Sequence, residues 1–535
     1  MWVKKIFGLT KMTASVSVSE FSAKRIFWRS LYAVLFLKLL LAWSFPFTSD
    51  EAFFYQWGLR PAWGFSDHPP MVGWMLTALS AIGDTPLVLR SVTVLITPLI
   101  GWGIADVLRR SLPEERRASA WIAGSIFMWM PFSLIFVLVT TDTPLLLFMA
   151  LSAWLYFRAD LCQRTQTASL WYLASGLALG LAGLSKYFGA LLAVAYFAHL
   201  LIFRRDRAWA VILIAAVSLS VVSINILFNA HHGWTNVMFN VFNRNERAGF
   251  QLRTALLFLA MMLYLLMPWL VYQVWRGRKA KASGSSATQS LAFALCATPF
   301  AIFFALSFFR DVGLHWVLGF VPMYVVWVAW RLEFAQLRTC LNWTAIFGLL
   351  HFLIALLIAF VPASAWRSTS LHERAVFLKE TRAVVQAIKH DMPQSSTLMA
   401  IGYSPASMLA YYSGAYVPVF GVGRHHSRQD DLQIDFRAYQ GRNIRIFSYY
   451  PMEIDNYAKF FQTVQSKEIQ VDGVRFYLLD GEGFKFDAFR AHVLTDIAQS
   501  FHQVPKWLPI LGSPFCERYG FAQCSPGRAV GQTPQ

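Results

Sequence analysis

The stretch IFWRSLYAVLFLKLLLAWSFP, residues 26–46, is followed after Phe47 by TSDEAFFYQWGLRPAWGFSDHPPMVGW, residues 48–74. The first is long enough to cross a hydrocarbon core of about 30 Å as a helix. The second sets Asp50, Glu51, Asp67 and His68 between apolar blocks, with Asp84 shortly after, in a chain only 14% charged. A span that opens onto dense charge raises two questions: which side of a membrane the charge faces, and what chemistry it does there.

Composition answers the first part. The 535 residues are 56% hydrophobic and 16% aromatic, with a mean hydropathy of +0.45, which excludes an ordinary soluble protein. Apolar runs recur at 26–46, 87–107, 119–139, 144–160, 170–184, 188–203, 208–229, 254–275, 290–309, 315–330 and 341–361. They predict an α-helical polytopic membrane protein of about eleven spans over 1–362, and a soluble region over 363–535. The net charge of +18 is carried by loops rather than by one basic face, so nucleic acid is not an expected partner. Twenty Lys and Arg fall in the predicted inner loops and six in the outer ones, which puts the amino terminus inside and the carboxy-terminal region outside. No small-residue cleavage pattern follows residue 46, so the first span reads as uncleaved.

With that orientation, Asp50, Glu51, Asp67, His68, Asp142, Lys186, His231, His232, Arg244, Arg247, Arg310 and His315 all lie on the outer side. Isolated polar residues from five outer loops predict one site at the outer surface, because facing them toward lipid is costly. Within 47–86, aromatic blocks broken at Pro61, Pro69 and Pro70 predict short helices in the interface, with Trp57, Trp63 and Trp74 at headgroup depth. Beyond Leu371, TLMAIGY, VPVFGVG, IRIFSYY and VRFYLLD read as strands between helical segments, a small α/β domain. Cys516 and Cys524 both fall in this outer domain and could pair, whereas Cys162, Cys296 and Cys340 lie in inner loops or a span.

The chemistry is carried by few residues. A partly desolvated carboxylate at Asp50 or Glu51 can act as a general base, orient a hydroxyl or bind a metal. Thr48, Ser49 and Asp50 equally suit a helix N-cap. Asp67-His68-Pro69-Pro70 can present an imidazole to a phosphate, or can be an interfacial turn before a helix. Asp142 and Lys186 have similar alternatives in capping and snorkelling. No internal repeat points to an inverted-repeat transporter.

DEAFFYQW, DHPPMVGW and GDTPLVLRSVTVL, then TTDTPLLLFMALSAWLYF, GLALGLAGLSKYFGALL, HHGWTNVMFNVFNR and LHWVLGFVPMY, resemble in order the segments of bacterial dolichyl-phosphate-mannose:protein mannosyltransferases, integral membrane glycosyltransferases of the GT-C class. The resemblance covers about 45–330, with a weaker continuation through GVGRHHSRQDD. It implies a GT-C fold and inverting transfer of a sugar from a polyprenyl-phosphate donor at the outer side of the plasma (inner) membrane. The acceptor class stays open between lipid A or lipopolysaccharide, another envelope glycan, and a protein hydroxyl. It assigns catalysis to Asp50, Glu51 and Asp142, and the donor phosphate to Asp67, His68, Lys186, Arg244, Arg247 and His315. Related lipid A aminoarabinose transferases carry an acid and then Lys before the two prolines, where this chain has Asp67 and His68. The residues assign no definite cofactor, and a divalent metal at Asp67 with a neighbouring His is left open. The competing expectation, a lipid-linked-sugar transporter or flippase, requires polar residues across the bilayer depth, where this chain has almost none.

Overall fold

Among the described residues, six helices are long and apolar enough to cross a membrane: Glu20–Ser44, Pro86–Ser111, Asp142–Leu161, Ala210–His231, Ala287–Ser307 and Phe334–Phe360. A seventh is counted if Leu252–Leu265 and Pro268–Gly277, bent by 88° between them, form one span. The computed structural model describes residues 3–243, 249–277, 287–421 and 429–524, with backbone alone for 3–19, 243 and 523. Of the remaining predicted runs, 170–184 lies in the single helix Thr165–Gly183, and the others are helical but interrupted. Run 119–139 becomes Arg117–Trp129, then Pro131–Ile135, then irregular backbone over 136–141. Run 315–330 begins as the 3-10 helix Leu314–Phe320 before Val321–Arg331. The positions of the apolar runs therefore hold while their continuity does not. Pro131, Pro268 and Pro322 each start a new helix, as expected of a residue without an N–H and with φ fixed for a first turn.

The chain divides into two units. The first comprises Met1–Phe45, Thr85–Val222 and Ala248–Ala359. Its core draws on nearly every helix, with Phe27, Ile100, Phe127, Met149, Phe258 and Val326 among the buried side chains. Small residues let helices touch: a Cβ on Gly124 would stand 2.4 Å from the Gly101 carbonyl oxygen of the neighbouring helix. Ile212, Leu219, Ile346 and Leu357 face outward, an apolar surface that lipid can cover.

The second unit gathers Pro46–Asp84, Ser223–Arg247 and Phe360–Gln535, so two segments between spans fold with the carboxy-terminal region. Its sheet is formed by β1 (Thr397–Ala400), β2 (Ile444–Ser448), β3 (Thr463–Val471) and β4 (Val474–Glu482) in the order β1-β2-β4-β3. β1 and β2 pair in parallel and the other pairs are antiparallel, a small α/β arrangement. β1, β2 and β4 fall on expected strands, whereas the described part of VPVFGVG makes only a single bridge from Val419 to Ala400 and β3 lies outside the expected strands. Phe420, Phe436, Phe461, Phe484 and Phe489 fill the core beside it. Cys516 and Cys524 form a disulfide. Within 46–84 the helices Ser49–Leu59 and Met71–Ser80 are separated at the expected prolines. Trp57 departs from expectation: it is buried, stacked on Phe65 at 4.3 Å, while Trp63 is exposed.

Candidate functional site

The acidic pair opens the helix Ser49–Leu59 and its two carboxylates are used differently. Thr48 caps the helix by accepting from the Glu51 amide, and Glu51 Oε2 accepts from the Thr48 amide at 3.1 Å and its hydroxyl at 3.0 Å. This reciprocal capping box takes up Glu51, which is fully buried. Asp50 remains exposed on the same turn. Crowding by the surrounding protein, reinforced by the adjacent Glu51 charge, holds its carboxyl above the usual carboxylate range. One turn on, the Tyr55 hydroxyl is hydrogen-bonded to Asp84, and burial with that bond pushes its pKa up.

The Asp67–His68 turn is fastened from several directions within the same unit. The Ser66 hydroxyl donates to Asp67 Oδ1 at 2.6 Å, and the Ser66 amide to the Gln429 side-chain oxygen at 2.9 Å. Asn236 and Asn240, one helical turn apart on 235–243, donate to the carbonyls of Phe65 (3.2 Å) and Asp67 (2.7 Å). The His68 ring lies among aromatics, 6.3 Å from both Phe54 and Trp57. The His232 ring stacks on Phe228 at 4.0 Å, and burial holds its pKa below the ordinary value.

A second constellation belongs to the membrane-spanning unit. Asp142 begins the helix Asp142–Leu161, but its carboxylate does not cap that helix. It accepts instead from Lys186 Nζ, at 2.9 and 3.1 Å, with both side chains largely buried. Lys186 sits in extended backbone after the helix Thr165–Gly183 and does not snorkel. Asp142, His315, Phe136, Leu145, Leu146, Leu318 and Gly319 line one small, narrow cavity that has no room for a water molecule in this structure. Arg310 stacks over Trp316, 5.0 Å from its ring.

Arg244 and Arg247 lie outside the described residues, as does most of GVGRHHSRQDD. Among the described residues no group of three or more His, Cys, Asp or Glu side chains could hold a metal, so no step is routed through one. The sequence reading passed over Lys38, Asn236, Asn240 and the Tyr55–Asp84 pair. The Asn residues carried a signal in their i, i+4 spacing, and Lys38 carried one as a charge inside the first apolar run.

Residues 67–228 match the family described as dolichyl-phosphate-mannose-protein mannosyltransferase. The lipid A galacturonosyltransferase RgtD of Rhizobium johnstonii is 29% identical over 252 residues, 43% of this chain and 50% of that protein. The chain thus matches about half the length of this curated relative. Two structures of ArnT from Cupriavidus metallidurans share the fold: the apo form at TM-score 0.56 and 14% identity, and the form bound to undecaprenyl phosphate at 0.60 and 13%. Each covers 84% of this chain and 97% of the ArnT chain. The apolar helices, the small α/β unit and the likeness to ArnT together give the chain a GT-C-type fold, and residues 67–228 carry the likeness to the dolichyl-phosphate-mannose-protein mannosyltransferases.

Proposed function

We propose that this multi-pass membrane protein is an inverting glycosyltransferase that moves a sugar from a polyprenyl-phosphate donor to an acceptor outside the cytoplasm. The observation that carries the reading is the buried Lys186–Asp142 pair beside His315, a cation oriented by a carboxylate at a small cavity. Asp142 takes part of the Lys186 charge and fixes its direction, leaving ammonium N–H groups for a phosphate oxygen. Asp50, with its raised carboxyl, is the base: it takes the proton of the acceptor hydroxyl as that oxygen attacks the anomeric carbon. The bond from the anomeric carbon to the phosphate oxygen breaks, and polyprenyl phosphate leaves with the electron pair. A phosphate leaving group needs no acid, and Lys186 and His315 would offset its charge; His68 is assigned to the phosphate by the sequence resemblance. Arg244 and Arg247 are assigned the same role on sequence alone.

The undecaprenyl phosphate named with ArnT supports the choice of donor carrier, and the activity named for RgtD favours lipid A as acceptor. We assign the site to the outer side of the inner membrane, with the amino terminus in the cytoplasm and the α/β unit outside. The test is a purified, nanodisc-embedded protein given an undecaprenyl-phosphate uronic acid and lipid A. Release of undecaprenyl phosphate matched by sugar-modified lipid A supports the reading. Sugar-donor movement across the bilayer without transfer would contradict it and favour the flippase.

A further inference from the structure

Lys38 is completely buried within the helix Glu20–Ser44 of the membrane-spanning unit. An ionisable side chain at such a place is rare unless it meets partners. Its Nζ has three: Thr97 Oγ1 at 2.7 Å, the Ser133 carbonyl at 2.9 Å and the Phe136 carbonyl at 2.7 Å. Three acceptors match the three donors of an ammonium group. Thr97 also donates to the Ser133 carbonyl at 3.0 Å, which ties the three groups into one network.

The two carbonyls come from the place where the chain stops being helical. Pro131–Ile135 ends, and 136–141 run as irregular backbone until the helix Asp142–Leu161 begins. Carbonyls at a helix end have no intrahelical partner, and irregular backbone in an apolar unit persists only where its polar groups are satisfied. Lys38 supplies that satisfaction from another helix. Phe136 connects the network to the cavity: its carbonyl is held by Lys38, and the residue lines the space shared by Asp142 and His315.

We propose that Lys38 is a positioning residue: it pins the break at 133–136 and so fixes the 136–141 segment that sets Asp142 against Lys186. The proposal rests on the reading of the Asp142–Lys186–His315 cavity as the donor-phosphate site. It explains why a hydrogen-bond donor is kept inside the first span, where a leucine would serve packing alone. No donor of Lys38 is left over to line a path through the bilayer.

The test uses the full chain in nanodiscs, as wild type, Lys38→Met, Lys38→Gln and Lys186→Met. Amide exchange is followed by mass spectrometry, with binding of undecaprenyl phosphate titrated in parallel. In Lys38→Met, exchange over 130–142 should rise roughly tenfold or more while 91–111 and 145–157 stay as in wild type. Affinity for undecaprenyl phosphate should fall by about tenfold, and Lys38→Gln, which keeps two N–H donors, should recover part of both effects. Unchanged exchange over 130–142, an equal rise across all segments, or no recovery with Gln would overturn the proposal. If Lys38→Met does not fold, Lys38→Gln and Thr97→Val give the same exchange comparison. Wild-type lipid binding by Lys186→Met would defeat the donor-site reading, while the exchange pattern still decides whether Lys38 pins the segment.

Discussion

Asp50 and Glu51 are adjacent in sequence but separate in role. Glu51 is buried in the capping box, and Asp50 stands exposed with its carboxyl raised by crowding and by Glu51. Loss of one general base costs about 10²–10⁴-fold, so Asp50→Asn should lose that much turnover while the protein still inserts and elutes as wild type. The base must be ionised to act, so activity should fall as the pH drops through this raised value, above the ordinary carboxylate limb. Glu51→Gln removes the neighbouring charge, and its pH–rate profile should show the acid limb at lower pH. The same shift has a stability sign. A folded pKa above the unfolded one favours the fold most below the unfolded value, and that contribution is lost as pH rises through the folded pKa. At this scale the candidate residues were legible because charge is scarce in an apolar chain. Their partners were not: nothing in the spacing of Asp142 and Lys186, 44 residues apart, states that they pair.

At the scale of elements, the turn carrying Asp67 and His68 is held by amides of 235–243 rather than by its own prolines alone. Asn240→Ala removes the bond to the Asp67 carbonyl and should speed amide exchange at 65–68 severalfold, leaving the sheet unaffected. Thr48→Ala removes the cap of Ser49–Leu59 and should lower stability by about 1 kcal/mol, read from denaturant unfolding of the second unit. The apolar runs gave the helices their places, since hydropathy registers length and composition. They could not give the breaks at Met130, Met267 and Phe320, where a proline falls in the first turn of the next helix and, at the first two, Lys38 and Tyr324 donate to the freed carbonyls. Lys38 is the case in point, a single letter in a leucine-rich run whose meaning lies in carbonyls 95 and 98 residues away.

For the whole molecule, the carboxy-terminal region that carries the sheet was visible as a change of composition near Leu371. That 46–84 and 223–247 fold with the carboxy-terminal region was not, because it depends on long-range packing such as Trp234 donating to the Pro509 carbonyl. The disulfide in the second unit suits an oxidising compartment. Cys516→Ala should destabilise that unit by about 2–3 kcal/mol, with reductant producing the same loss in wild type. The central claim, sugar transfer to an envelope acceptor, is tested most directly by mass analysis of envelope lipids, glycans and proteins. Cells with the wild-type chain, with Asp50→Asn, and without the protein are compared. The account predicts that one sugar unit, carried on lipid A in wild type, is missing equally from the other two. An unchanged spectrum in cells lacking the protein, or full modification by Asp50→Asn, would contradict it.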